Sequence, residues 1–402
     1  MAKLAINGGP KLRERPFPPW PQYDDGEKQA LLEVLQSRRW GTRGPKVLEF
    51  EEEFCRYTGV SHGITTCNGT VSLQIILRSL GVGRGDEVIV PPYTFVATVT
   101  AVLMVQAIPV FVDIDPGSNC IDPGKIEQAI TERTKAIIAV HIAGCPSDMD
   151  RIIEISERHN LFIVEDAAQA HGSEWRGKKV GGWGSAGSFS FQLSKNISSG
   201  EGGLITTDDL ELAERCWSLH NVGRSKEGKW YEHFVLAGNY RMTDWQAAIL
   251  LVQLKRLDQQ IDIREKNARY LNENLQEMPG IGTFPRDPRV TRDTHHLYMF
   301  RYLEEELKKL PKENFVKALE KEGIPVSEGY YPLYRLPLFQ TGEVLAITGR
   351  DRDYSQLRLP ATEQAFRQTV WITQNVLLGD RGDMDDILGA IKKIRDNVDE
   401  LL

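Results

Sequence analysis

The chain has 402 residues, with 49 Lys and Arg against 56 Asp and Glu, and its formal net charge is −7. That mildly acidic balance offers no basic footprint to nucleic acid or an anionic membrane, and no apolar run approaches the ~20 residues of a membrane span. Five scattered cysteines (Cys55, Cys67, Cys120, Cys145, Cys216) show neither disulfide-framework nor zinc spacing, and the N-terminus lacks a signal-type apolar stretch, so a reducing cytoplasm is expected.

At ~150 residues per domain, this length suggests two or three domains. Up to about Asp25 the chain is rich in Pro, Gly and Trp and reads as an extended arm. Helical periodicity starts near Gly26, and a second helix is expected over 47–57. Short apolar strands then alternate with helices: helix 70–80, strand 87–90, helix 96–106, strand 109–114, helix 123–130, strand 136–141, helix 149–159 and strand 161–166. Strands over 187–192 and 203–207 follow. The alternation predicts βαβ units and a sheet covered on both faces. A long amphipathic helix is expected from 244 to 275, then mixed short elements, then a closing amphipathic helix over 384–402. A boundary near residue 255 divides the chain into a large domain, 1–255, and a smaller one, 256–402.

Three stretches carry chemistry. In Phe189-Ser190-Phe191-Gln192-Leu193-Ser194-Lys195 an alternating strand ends in a turn bearing one lysine, and Gly200-Glu201-Gly202-Gly203 follows. A shielded lysine near a second positive centre loses basicity, and a neutral amine is what Schiff-base chemistry requires. In Val164-Glu165-Asp166-Ala167-Ala168-Gln169 a buried strand ends in an acid. Ligand sites of open α/β sheets lie beyond such strand ends, and an aspartate there can keep a pyridinium nitrogen protonated. In Asn68-Gly69-Thr70 a Gly-Thr pair opens an apolar helix, whose free N–H groups and hydroxyl suit a phosphate. Taken singly, each has an ordinary reading: a surface lysine, a capping aspartate, a plain helix N-cap. His171 and His141 read as structural, Arg241 as a surface ion pair.

The three stretches occur in a telling order: Gly-Thr helix start, strand-end Asp166, then Lys195 after a later strand. With Pro92-Tyr93-Thr94-Phe95 and Gly238-Asn239-Tyr240-Arg241-Met242 added, the chain resembles the DegT/DnrJ/StrS group of pyridoxal-phosphate (PLP) sugar aminotransferases over nearly its whole length. The resemblance implies an α/β fold of PLP-transferase fold type I, aspartate-aminotransferase-like. A mostly parallel central sheet fills the large domain, and the C-terminal domain is smaller and α+β. It implies that Lys195 forms the Schiff base with the cofactor and shuttles the proton. Asp166 pairs with the pyridinium nitrogen and makes the ring an electron sink. Gln169 meets the 3-oxygen, Phe95 stacks on the ring, and Gly69, Thr70 and Ser190 bind the phosphate. Tyr93 packs or lines the mouth. Asn239 reaches the phosphate of the neighbouring subunit's cofactor, in a homodimer with shared sites. No metal is implied.

Lys195 stands where dehydrating relatives carry His, which favours transamination. The implied donor is glutamine or glutamate, and the acceptor a keto-cyclitol or keto-sugar. Phe-Ser-Phe-Gln, with Gln192 in place of a His common among nucleotide-sugar enzymes, is similar to the scyllo-inosose aminotransferases and 3-amino-5-hydroxybenzoate synthases. Pro19-Trp20-Pro21 points the same way. Tyr334 replaces a His common among relatives, and Val370-Trp371-Ile372-Thr373-Gln374 lacks that subgroup's paired histidines. Both departures are expected to bear on the acceptor. Two other classes stay open: an effector-binding protein on the same fold, and a nucleotide-dependent oxidoreductase. The second wants a Gly-rich turn opening a helix after a strand, whereas Gly81-Val82-Gly83-Arg84-Gly85 precedes one.

Overall fold

The structure is a computed structural model and describes residues 3–41, 44–349 and 352–402; the first two residues of the arm lie outside these. In chain order the strands are β1 (His62–Thr66), β2 (Glu87–Val90), β3 (Ile108–Phe111), β4 (Thr134–Val140), β5 (Phe162–Asp166), β6 (Glu174–Trp175), β7 (Lys178–Lys179), β8 (Ala186–Ser190), β9 (Gly203–Thr207), β10 (Ile281–Gly282), β11 (Val290–Arg292), β12 (Leu297–Tyr302) and β13 (Thr369–Thr373). The helices are α1 (Asp25–Ser37), α2 (Pro45–Thr58), α3 (Gly69–Ser79), α4 (Ala97–Met104), α5 (Met149–His159), α6 (Leu210–His220), α7 (Asp244–Leu275), α8 (Lys312–Lys321), α9 (Gly342–Thr348), α10 (Pro360–Gln368) and α11 (Arg381–Asp396).

Seven strands form the central sheet in the order β1-β9-β8-β5-β4-β2-β3. β8, β5, β4, β2 and β3 run parallel, and β9 runs antiparallel to both its neighbours. β2 is buried at every position, and β4 at every position but Lys135. A strand covered on both faces needs apolar side chains at successive positions, which is how these strands read. Along β4, Ala136, Ile138 and Val140 enter one core with α3, α4 and α6. The alternate Ile137 and Ala139 enter another with α5. Further along that second face, Phe50 and Phe54 of α2 pack against Leu250 and Leu257 of α7.

Two expected elements differ. Residues 123–130 form two short 3-10 turns, Pro123–Lys125 and Glu127–Ala129, instead of an α-helix. Ile126 is buried, and Ala129 and Ile130 pack partly against the same core, but the backbone turns extended at Ile130 and ends the second turn there. The strand expected over 109–114 leaves the ladder after Phe111. Asp113 is the cause: its carboxylate accepts the Thr362 N–H (2.9 Å), the Thr362 hydroxyl (2.7 Å) and the Ala361 N–H (3.1 Å) at the start of α10.

α7 follows its predicted span, and its 32 residues run unbroken through residue 255. Its last turns (Ala268, Leu271, Leu275) join a separate apolar core with Phe300 of β12, Ile372 of β13 and Ile387 of α11. Leu4 of the arm enters that same core, with Leu12 and Phe17 packed against it. Glu322 fastens the arm by accepting the Ala5 N–H (2.9 Å) and the Leu12 N–H (3.0 Å). Arg13, almost wholly buried, pairs with Asp383 (2.8 Å) and Asp386 (2.6 Å) and covers the Phe17 ring. Among the described residues no helix is long and apolar enough to cross a membrane, no His, Cys, Asp and Glu group could hold a metal, and the five cysteines are free.

Candidate active site

β5 and β8 are parallel neighbours, so their carboxyl ends open on the same side of the sheet. Asp166 ends β5 and Ser190 ends β8. α3 starts beside them. Asn68 caps it by accepting the Val71 N–H (2.9 Å), while Gly69 and Thr70 occupy the first helical positions, whose N–H groups have no intrahelical acceptor. A Cβ on Gly69 would fall 2.8 Å from the Ser190 Cβ, so only glycine lets α3 seat this close to β8. Between these ends lies a cavity of about 1100 Å³, and Gly69, Thr70, Phe95, Asp166, Gln169, Ser190 and Lys195 all line it.

The electrostatics centre on two groups. Burial pushes the Asp166 carboxyl up from its ordinary value. The Thr98 hydroxyl, which donates to it at 2.8 Å, the Ala168 N–H and the charge of Lys195 oppose that rise. Burial lowers Lys195 to about 8, against the pull of Asp166. Among the described residues the Lys195 amine makes no hydrogen bond or ion pair. Phe95 is 56% exposed although apolar, an aromatic face turned to the cavity instead of the core. A free amine, a buried carboxylate, an uncovered aromatic ring and two orphan helix N–H groups in one cavity fit PLP at amine, ring nitrogen, ring face and phosphate.

Other expectations meet different surroundings. Gln169 is buried, with its carbonyl accepting the Ala143 N–H (2.8 Å) and its amide donating to the Tyr330 hydroxyl (2.9 Å). Ser190 receives a weak contact from the Gln192 N–H (3.4 Å). Tyr93 packs wholly in the interior and accepts the Tyr330 N–H at 3.3 Å. Asn239 is exposed and does not line this cavity, although the adjacent Tyr240 does. Arg241 forms no ion pair among the described residues and donates to Asn221 Oδ1 (3.0 Å). His141 is structural: its Nδ1 accepts the Ser147 N–H (3.1 Å), and its Nε2 donates to Glu165 (3.1 Å). His171 is buried against Phe189 and Phe191 and lies outside the cavity lining. Burial, then the charge of Lys195, lowers it to about 3.

The C-terminal departures do not grip the cavity. Tyr334 is buried against Phe111 and donates to Glu363 (3.1 Å). Trp371 packs edge-on against Tyr330, and the Gln374 side chain accepts from the buried Arg264. None of the three lines the cavity. Two residues that do, His296 and Tyr330, escaped the sequence reading. They lie more than 100 positions beyond Lys195, and no local spacing ties them to it.

This arrangement, strand-end acid and later lysine facing one helix N-terminus across a parallel sheet, defines a PLP-dependent transferase of fold type I. Residues 21–392 match the DegT/DnrJ/EryC1/StrS aminotransferase family, and the chain belongs to it. It is 39% identical to the L-glutamine:2-deoxy-scyllo-inosose aminotransferase of Streptomyces lividus, with 97% of each chain covered. It superposes on 3-amino-5-hydroxybenzoic acid synthase with a TM-score of 0.86 at 33% identity, covering 95% of this chain and 99% of that one. A Streptococcus pneumoniae structure in its PLP form matches with a TM-score of 0.84 at 28% identity, over 96% of this chain and 100% of that one. The protein is a PLP-dependent aminotransferase.

Proposed function

We propose that the enzyme moves an amino group from L-glutamine or L-glutamate to the ketone of a polyhydroxylated ring, a keto-cyclitol before a keto-sugar. The carrying observation is the full-length likeness to a glutamine:keto-inosose aminotransferase, together with Gln192 on the cavity wall. When bound, PLP supplies the electron sink for the amino-group transfer. The rest of the work falls to this chain. Lys195, with a lowered pKa, holds an appreciable fraction of free amine near neutrality and passes the proton at Nζ. Asp166 favours a protonated ring nitrogen opposite its carboxylate. Phe95 covers one ring face and excludes water. The Gly69 and Thr70 N–H groups and the Thr70 and Ser190 hydroxyls hold the phosphate, and Gln169 sits at the 3-oxygen.

The same reading has Asn239 completing the site of a second copy in a cytoplasmic homodimer. Exposed Trp230 (75%), Tyr231 and Leu236 (86%) beside it support a covered face there. A larger domain to 255 and a smaller one from 256 belong to this reading too, supported by the separate core around β12 and β13.

The test loads the enzyme with an amino group from glutamine or glutamate. The loaded enzyme is then mixed rapidly with keto-cyclitols and with nucleotide-linked keto-sugars, and the cofactor absorbance is followed. Discharge by a keto-cyclitol is expected. Discharge by nucleotide-linked sugars alone would sink the acceptor class, and silence with every donor would favour an effector-binding role.

A further inference from the structure

His296 lies on the cavity wall immediately before β12, against the turn that carries Lys195. The side chain after that lysine determines what this histidine can do. The Asn196 amide donates to the Thr294 carbonyl at 2.8 Å, which fixes the way it points. Its other end, Oδ1, therefore faces His296 Nδ1 at 3.2 Å. An amide oxygen only accepts, so Nδ1 carries the proton. In a neutral ring Nε2 is then a bare lone pair. Nε2 has no partner among the described residues, and it is not among the polar atoms sealed from solvent. Burial, then the charges of Lys195 and Arg264, hold the ring neutral.

We propose that His296 is a specificity-determining residue whose Nε2 accepts a hydrogen bond from a neutral N–H or O–H donor on the substrate. It thereby selects a carboxamide or hydroxyl over a carboxylate. Two acceptors facing each other repel, so a group that only accepts discriminates without carrying charge. The inference rests on the substrate classes proposed above. Two sources could supply the donor, the glutamine carboxamide or a ring hydroxyl of the keto acceptor, and both occupy this cavity in turn.

Two variants separate roles. His296→Asn keeps a donor where Nδ1 met Asn196 and removes the acceptor from the cavity. His296→Gln keeps a polar group at the Nε2 position. In the Asn variant, KM should rise about 10-fold for whichever substrate supplies the donor, with kcat of the other half-reaction unchanged. A rise for glutamine, with its preference over glutamate narrowed, assigns the carboxamide. A rise for the keto-polyol, absent for its deoxy analogue, assigns the hydroxyl. The Gln variant should recover part of either loss. Unchanged KM values, or an equal fall of kcat in both half-reactions, would overturn the proposal. Independently of turnover, two-bond 1H–15N correlation on the holoenzyme should show the Nδ1–H tautomer of His296 from about pH 6 to about pH 8, lost in Asn196→Ala. An Nε2–H tautomer or an imidazolium in that range would refute it even if the acceptor class were right. If no keto-cyclitol or keto-sugar is a substrate, the functional reading fails and the tautomer still tests this one.

Discussion

Lys195 shows how a reactive group opposes the stability of its own fold. Its folded pKa of about 8 lies below the ordinary 10.5, so the unfolded chain binds the extra proton more readily between those values. The cofactor-free protein therefore pays a penalty below pH 8 that fades as pH rises toward 10.5. Lys195→Met should melt higher than the wild type near neutrality, by about 2 kcal/mol, and converge with it in alkali. Turnover should vanish in the same variant. Glu165 works with the opposite sign. Burial raises its pKa, but the hydrogen bond from His141 and the Gly181 and Gly184 N–H groups overcome that and leave it lowered. Its contribution is in place above 4.5 and is lost as pH falls through the lowered value. Glu165→Gln should cost about 1–3 kcal/mol at neutral pH, the difference shrinking on acidification in a pH series of thermal melts. Lys195, Asp166 and Gly69 were legible in the sequence because they sit in the turn after a strand, at a strand end and at a helix start, which local patterning exposes. His296 and Tyr330 were not. Their position depends on the separate core delivering β12 and the 327–331 loop to the sheet, which no local pattern encodes.

At the scale of elements, the arm is the instructive case. Its Pro-rich composition reads correctly as extended, yet nothing in it announces where it docks. Arg13 determines that, buried between Asp383 and Asp386 of α11. Removing one partner of a buried pair strands the other charge, so Arg13→Ala should destabilise by about 3 kcal/mol, read from denaturant unfolding. Arg13→Lys should recover only part, because the guanidinium also covers Phe17. Residues 123–130 show the converse: an apolar spacing that suits a helix yields only two short turns, because the backbone turns extended at Ile130. Tyr334 and Trp371 show a third limit. Each lies in a stretch that looks functional in a string of letters, and each packs instead, against Phe111 and Tyr330.

The whole molecule was legible where chain order and space agree. The run of parallel strands follows from apolar segments alternating with helices. The antiparallel β9 does not, because the loop 191–202 that joins it to β8 carries no turn signal fixing its direction, and it reads like any other buried strand. The exposed aromatic segment around Trp230 is the surface on which the proposed homodimer can be tested. If a second copy covers it, Trp230→Asp with Leu236→Asp should shift sedimentation from dimer toward monomer, and should weaken cofactor retention through Asn239 as well.

The unbroken α7 has a bearing on recombination between relatives. At ~1.5 Å per residue it is a strut about 48 Å long, rooted in the core beside α2 at one end and in the core of β12 and β13 at the other. A crossover inside it joins two half-helices whose faces must match two cores at once. Chimeras that exchange acceptor preference should therefore be spliced in the coil before Asp244 or after Leu275, carrying the helix whole.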